Sequence, residues 1–169
     1  RFGERRAGAI GAVPDWEALR EQARALKEHT LAHLERYLVE FSARAEAAGV
    51  RVHWARDARE ACTLVAGLAR HARATRLVKS KSMTTEEIGL NAALARSGCE
   101  PVETDLGEWI IQLAGETPSH IIVPAIHKTK AQIAELFVDK LAIEPTDDVE
   151  ALTAAARRIL RDHFAAADL

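Results

Sequence analysis

Two lysines followed by hydroxyl side chains are the first residues in this sequence whose types and spacing suggest chemistry. Residues 79–85 read Lys-Ser-Lys-Ser-Met-Thr-Thr. Ammonium and hydroxyl groups bind phosphate and carboxylate through charge-assisted hydrogen bonds. The first turn of a helix adds free backbone N–H groups that favour an anion. Lys79, Lys81, Ser82 and Thr84 therefore predict a site for a small anion.

Three acids and a histidine supply groups that could set the charge of this site or move a proton. Glu103, Asp105 and Glu108 lie close together in the sequence, and His127 follows later. A carboxylate or an imidazole can act as a general acid or base. A purely structural interpretation also stays open, in which the lysines are solvated, Ser82 or Thr84 only caps a helix, and Glu103 pairs with Lys79. No residue is assigned a catalytic role from the sequence.

The remaining metal and nucleophile candidates do not form a recognisable site. His29 and His33 are one helical turn apart, but the zincin glutamate and a third ligand are missing. Cys62 and Cys99 are the chain's two cysteines, whereas an iron–sulfur cluster takes four thiolates. We predict no metal and no cofactor in this chain.

Alternating strands and helices must position these groups. Apolar residues at steps of three and four predict one long helix over residues 15–48, after a flexible lead over 1–14. Residues 49–169 are predicted to form the α/β part, with strands at 50–54, 76–79, 100–105 and 119–123. Residues 107–113 favour a short helix, with a strand as the alternative. The pattern predicts a mainly parallel sheet flanked by helices, whose strand ends share one edge.

Composition narrows the class of protein. The chain has 169 residues and a formal net charge of −2, which does not favour nucleic acid or an anionic membrane. No run approaches the roughly 18 apolar residues of a membrane span, and the cysteine usage fits a reducing compartment. Four strands are few for this much helix, so we expect an incomplete domain from a longer protein. Its uncovered sheet edge and overlong helix predict self-association.

Three stretches of the sequence resemble the lactate-utilization protein B family. They are residues 78–88, 98–110 and 118–128. The similarity runs from about residue 16 to residue 169, in the family's order and spacing. The resemblance implies a cytoplasmic protein that takes part in the oxidation of L-lactate to pyruvate.

The family joins a LUD domain, related to isomerases and CoA transferases, to a ferredoxin-like region with two 4Fe-4S clusters. This chain would be the amino-terminal part, without the cluster cysteines. Its expected partners are the other lactate-utilization subunits and a small anionic ligand. Two alternatives remain open: a small-molecule enzyme on a phosphosugar-isomerase-like scaffold, and a pure subunit-assembly module.

Overall fold

The first unit of the chain is a series of three helices. The computed structural model describes residues 2–169, and the chain divides into the units Arg1–His53 and Trp54–Leu169. In the first unit, α1 spans Phe2–Gly11, α2 spans Trp16–Ala32 and α3 spans Leu34–Ala47. The flexible lead expected over residues 1–14 thus contains a helix. None of the residues described in these three helices is buried.

The predicted long amino-terminal helix is present, but it is divided at His33. His33 has φ −122° and ψ 24°, outside the helical region. The hydrogen bonds nevertheless continue through this residue. His33 N donates to His29 O at 3.2 Å, and Tyr37 N donates to His33 O at 3.2 Å. The division is therefore a local distortion between α2 and α3.

The second unit is a two-stranded parallel sheet flanked by helices. Its elements are α4 Ala58–His71, β1 Arg76–Lys79, α5 Met83–Glu87, α6 Leu90–Arg96, β2 Glu100–Glu103, α7 Leu106–Ala114, α8 Lys130–Leu141 and α9 Val149–Ala165. The register pairs Arg76 with Glu100 and Lys79 with Glu103. This confirms the α/β class with a helix-flanked parallel sheet. The isomerase-like and CoA-transferase-like topology stays a prediction.

Two of the four predicted strands are wrong for the described chain. Residues 50–54 and 119–123 are irregular, and several of their backbone donors are bonded locally. Val50 N donates to Ala45 O at the end of α3. In the second stretch, the ring of His120 accepts hydrogen bonds from Ile122 N and Val123 N. Side-chain hydrogen bonds of this kind compete with strand pairing.

The helix predicted after β1 is also divided in the structure. Gly89 has φ +67° and separates α5 from α6, and a left-handed residue interrupts a helix. The five-residue α5 begins with Ser82 as its N-cap, whose side chain accepts from Thr85 N. The sequence pattern predicts one helix here that runs without interruption to residues 97–98.

The two faces of the sheet pack on different helices. Val78 and Val102 contact the apolar cluster of α7, α8 and α9, whereas Leu77 packs with the cluster of α4 and α6. Side chains alternate between faces along a strand. Lys79 and Glu103, one residue beyond the valines, therefore lie on the side of α5 and α6.

Candidate functional site

The carboxyl ends of β1 and β2 lie side by side, as the sequence predicts. Thr104 N and Thr104 Oγ1 both donate to Lys79 O, each at 3.0 Å. These bonds join the two strands one residue beyond Lys79 and Glu103, the last pair of the sheet. We name as the strand-exit site the residues predicted to bind at this edge: Lys79, Lys81, Ser82, Thr84, Glu103, Asp105, Glu108 and His127.

A buried ion pair forms the inner part of the strand-exit site. Lys79 Nζ lies 2.5 Å from Glu103 Oε1, and it also donates to Thr85 Oγ1 at 3.0 Å. Glu103 is only 1% exposed. Its Oε1 accepts a second hydrogen bond, from Asn91 Nδ2 at 2.7 Å. Lys79 is thus neutralised by Glu103, which is the pairing that the structural interpretation of the sequence anticipated.

Glu108 is a second buried acid beside this pair. It lies in the first turn of α7 and is 3% exposed. Among the described residues, neither oxygen of Glu108 has a hydrogen-bond partner, and Glu103 Oε2 has none either. Burial raises the pKa of Glu108, and the negative charge of Glu103 raises it further. The ammonium groups of Lys79 and Lys81 act in the opposite direction.

Lys81 is the lysine of this site whose charge is not taken up by a carboxylate. Within residues 2–169, its polar contact is a hydrogen bond from Nζ to Ile122 O at 2.9 Å. The side chain is half-buried. Ser82 uses its hydroxyl to cap α5, and Thr84 is exposed in the first turn of that helix. An ammonium group and nearby hydroxyls therefore remain accessible at the end of β1.

Asp105 has a structural function at the end of β2. Its carboxylate accepts from Gly107 N and Glu108 N, both at 3.1 Å, and so caps α7. The adjacent Gly107 allows the loop of Pro124 to approach closely. A Cβ added at Gly107 would lie 3.2 Å from Pro124 Cδ. The start of α7 and the loop before α8 are therefore packed against each other.

His127 is held in a hydrogen-bonded chain with two residues that the sequence analysis did not single out. Its Nε2 lies 2.8 Å from Glu116 Oε2, and its Nδ1 lies 2.7 Å from Ser119 Oγ. A carboxylate accepts hydrogen bonds, so Nε2 carries the hydrogen and, in the neutral ring, Nδ1 accepts from Ser119. Lys128 Nζ also contacts Glu116 at 2.6 Å. Hydrogen bonds from Lys128 and then His127 lower the pKa of Glu116.

The order of hydroxyl, imidazole and carboxylate resembles an activated nucleophile with its base, but two features weigh against that function. Ser119 Oγ also lies 3.1 Å from Pro124 O, so its one hydrogen is shared between that carbonyl and His127 Nδ1. The nearby amides of Ile122 and Val123 are already bonded to His120, so they are not free to bind an oxyanion. We interpret the chain of Glu116, His127 and Ser119 as a brace that fixes this loop.

Asn91 and Gln112 complete the polar interior and were also missed from the sequence. Gln112 Oε1 accepts from Glu103 N at 3.0 Å, and Gln112 Nε2 donates to Pro101 O at 2.7 Å. Asn91 is placed between the buried Leu90 and Leu94 of α6. The sequence signal that could have identified Asn91 is its position beside two core residues of a short helix. A polar side chain there requires a hydrogen-bond partner in the interior.

The described residues offer no alternative metal or thiol site. They contain no group of three or more His, Cys, Asp or Glu side chains placed to hold a metal ion. Cys62 Sγ donates to Ile88 O at 3.3 Å. Cys99 is buried, and burial raises the pKa of its thiol. His29 contacts the Tyr37 hydroxyl at 2.9 Å.

An apolar pocket of about 280 Å³ lies elsewhere in the second unit, between α7, α8 and α9. Its walls include Ile110, Phe137, Leu152 and Ala156. Lys130 also lines it and contacts Asp147 at 3.5 Å. The pocket contains none of the acids of the strand-exit site, so we do not assign it to that site.

No helix in the described part of the chain has the length and apolarity needed to cross a membrane.

Comparison with known proteins gives consistent matches over the whole chain. The LUD domain family matches residues 38–169. Lactate utilization protein B of Bacillus pumilus (strain SAFR-032) is 45% identical over 170 residues, covering 100% of this chain and 36% of that protein. Its namesake in Oceanobacillus iheyensis (strain DSM 14371) is 43% identical over 169 residues, covering 100% and 35%. The namesake in Bacillus thuringiensis (strain Al Hakam) is 40% identical, covering 100% and 36%.

The chain spans about a third of the length of these curated relatives. No solved structure matches the chain significantly.

Proposed function

The chain belongs to the LUD domain family, and from this premise we propose that it acts in lactate utilization by binding a small carboxylate at the strand-exit site. The observation that carries the proposal is the 40–45% identity, over the whole chain, to proteins named lactate utilization protein B. The proposed ligand class is a short 2-hydroxy or 2-oxo acid such as L-lactate. The chain would do this as part of a longer protein.

Lys81 is the group that we assign to the carboxylate. Lys79 already pairs with Glu103, so it has little charge left for a ligand. Among the described residues, Lys81 Nζ donates to the neutral carbonyl of Ile122, which a carboxylate can replace as acceptor. A charge-assisted hydrogen bond contributes about 1.5–3 kcal/mol when shielded from water and less on an open surface.

Acids around the site limit the affinity that we expect. Glu86 lies 3.9 Å from Lys79 Nζ, and Glu103 is closer still. Their negative charge opposes an incoming anion. Binding in the millimolar range corresponds to about 4 kcal/mol, which is what one well-placed lysine with supporting hydroxyls can supply.

Electron transfer through 4Fe-4S clusters is proposed for the longer protein and not for this chain. A cluster requires four thiolates, whereas this chain has Cys62 and Cys99. Both cysteines pack in the apolar cluster of α4 and α6. These two cysteines do not supply the ligands of a 4Fe-4S cluster. No step is therefore assigned to iron in this part of the protein. The other lactate-utilization subunits remain the proposed partners.

Titration calorimetry with L-lactate at low salt tests the binding proposal. We expect millimolar binding to the wild type and at least a several-fold loss of affinity in Lys81→Ala. Lys140→Ala is the matched control, because Lys140 lies on α8 and contacts Asp139. Equal affinity in the wild type and Lys81→Ala, or no heat of binding at all, would contradict the proposal.

A further inference from the structure

Glu103 and Glu108 bring four carboxylate oxygens into the protein interior beside one lysine. One oxygen, Glu103 Oε1, is bound by Lys79 and Asn91. The other three have no hydrogen-bond partner among the described residues, and neither has Asn91 Oδ1. Four unsatisfied buried acceptors in one place are unusual, since nearly all buried polar atoms in native proteins are paired. All four lack a hydrogen-bond donor.

The charged side chains around Glu108 do not donate a hydrogen bond to these unsatisfied acceptors. Lys79 on β1 is held by Glu103 and Thr85, and Lys81 after β1 is bonded to Ile122 O. Two further acids lie close by, namely Glu86 on α5, 3.9 Å from Lys79 Nζ, and Asp105 before α7, which accepts from Glu108 N. On α6 and α7, Asn91 and Gln112 direct their amide N–H groups to Glu103 Oε1 and to Pro101 O.

We propose that Glu103 and Glu108 form a buried proton site, and that an anion bound at the strand-exit site loads it with a proton. The proton site is inferred from the burial of Glu103 and Glu108 and from their lack of hydrogen-bond donors. The second part rests on the proposed anion-binding function. The proton resides mainly on Glu108, because Glu103 is the acid that pairs with Lys79.

A proton on Glu108 satisfies two of the four unsatisfied acceptors. The protonated acid has an O–H group that donates to Glu103 Oε2 or to Asn91 Oδ1, so two orphan atoms gain a partner from one hydrogen. It also removes a buried negative charge that lies beside another. The raised pKa of Glu108 agrees with this direction. Because the two acids are coupled, the measured titration belongs to the pair.

Anion binding and proton binding must then reinforce each other. A carboxylate at Lys81 adds negative charge near Glu108, which favours the protonated form. By reciprocity, protonation of the pair increases the affinity for the carboxylate by the same factor. Affinity therefore falls as the pH rises through the titration of the pair, and binding takes up protons from the buffer.

Carbon-13 NMR of glutamate side-chain carboxyls tests the proton site without any ligand. We expect one carboxyl signal to titrate well above the exposed glutamates, and this signal to disappear in Glu108→Gln. Glu135→Gln is the control, since Glu135 is exposed on α8. If every glutamate signal titrates in the ordinary acidic range, the proton site is wrong, whatever the anion results are.

Calorimetry in two buffers of different ionisation enthalpy tests the coupling. L-lactate binding to the wild type should take up protons in the pH range where the pair titrates, and its affinity should fall at least several-fold as the pair ionises. Glu108→Gln should bind without proton uptake and with little pH dependence. Lactate binding without proton uptake in the wild type would overturn the coupling. Absence of lactate binding at every pH would overturn the proposed function and the coupling, while the ligand-free NMR result would still decide the proton site.

Discussion

Glu108 illustrates how one buried acid couples the candidate site to stability. The pKa of its carboxyl is raised by burial and by Glu103 above the ordinary value of 4.5. In the unfolded chain this acid ionises at its ordinary pKa, whereas in the folded protein it keeps its proton to higher pH. The folded state therefore binds more protons in this window, and stability falls as the pH rises through it.

Replacing Glu108 by glutamine should remove this pH dependence. The Gln side chain matches the neutral acid in shape, and its amide can donate to Glu103. We expect Glu108→Gln to be more stable than the wild type at pH 8, by about 1.4 kcal/mol for each unit by which the pKa is raised. Urea unfolding at pH 5 and pH 8 measures the difference, with Glu135→Gln as control. The same loss of stability with pH in the wild type and in Glu108→Gln would show that Glu108 is ionised in the folded protein.

The composition of the strand-exit site was predictable, but its internal order was not. Lys79, Glu103 and Glu108 could be assigned to one edge because parallel strands end together. Which lysine is neutralised depends on the facing side chains of α5 and α6, such as Thr85 and Asn91. Residues of separate elements meet through tertiary packing, which periodicity within one element does not encode.

At the scale of elements, helices were predicted more accurately than strands. A helix has its own apolar stripe and its own cap, as α8 shows with the capping box of Thr129 and Gln132. A strand requires a partner elsewhere in the chain. The alternation at 50–54 and the apolar run at 119–123 were therefore not sufficient to predict strands correctly. The interruption of the helix after β1 was missed because Gly89 lies inside an otherwise helical pattern.

The contact between α7 and the loop before α8 gives a prediction at this scale. An alanine at Gly107 would bring its Cβ to 3.2 Å from Pro124 Cδ and 3.3 Å from Asp105 Oδ1. Pro124 is buried and its ring is rigid, so we expect Gly107→Ala to lower the free energy of unfolding by about 1–3 kcal/mol. Thermal and urea unfolding measure this change.

Gly67→Ala is the matched control for this contact. Gly67 lies within α4, and an added Cβ there has nothing within 4 Å. Alanine is favoured over glycine inside a helix by about 0.5–1 kcal/mol, so this variant should be slightly stabilised. If both alanine variants are stabilised to the same extent, the loop does not pack tightly against α7.

For the whole molecule, the exposed helices of the first unit favour contact with another chain. α2 and α3 contain no buried residue, and Leu19, Leu26 and Phe41 are among their exposed apolar side chains. Isolated helices of this length are marginal in water, and exposed apolar faces favour association. Self-association, or docking with a partner subunit, therefore remains our prediction for this unit.

Light scattering on a size-exclusion column tests self-association. We expect a dimer or larger species at tens of micromolar, and a shift toward monomer in Leu26→Glu, because a charge on the apolar face must be desolvated on contact. Ala25→Glu adds the same charge at an exposed position on another face of α2, so it should leave the association unchanged. A wild type that stays monomeric at this concentration would contradict the prediction.

The most direct test of the central claim is to locate L-lactate on the protein by amide NMR. We predict that the amide signals of Lys81, Ser82, Glu108 and Ile122 shift with lactate concentration and saturate in the millimolar range. These shifts should be lost in Lys81→Ala and kept in Lys140→Ala. Amides lining the apolar pocket near Phe137 and Leu152 should not move. Unmoved strand-exit amides at saturating lactate, or shifts confined to another surface, would contradict a carboxylate site at the ends of β1 and β2.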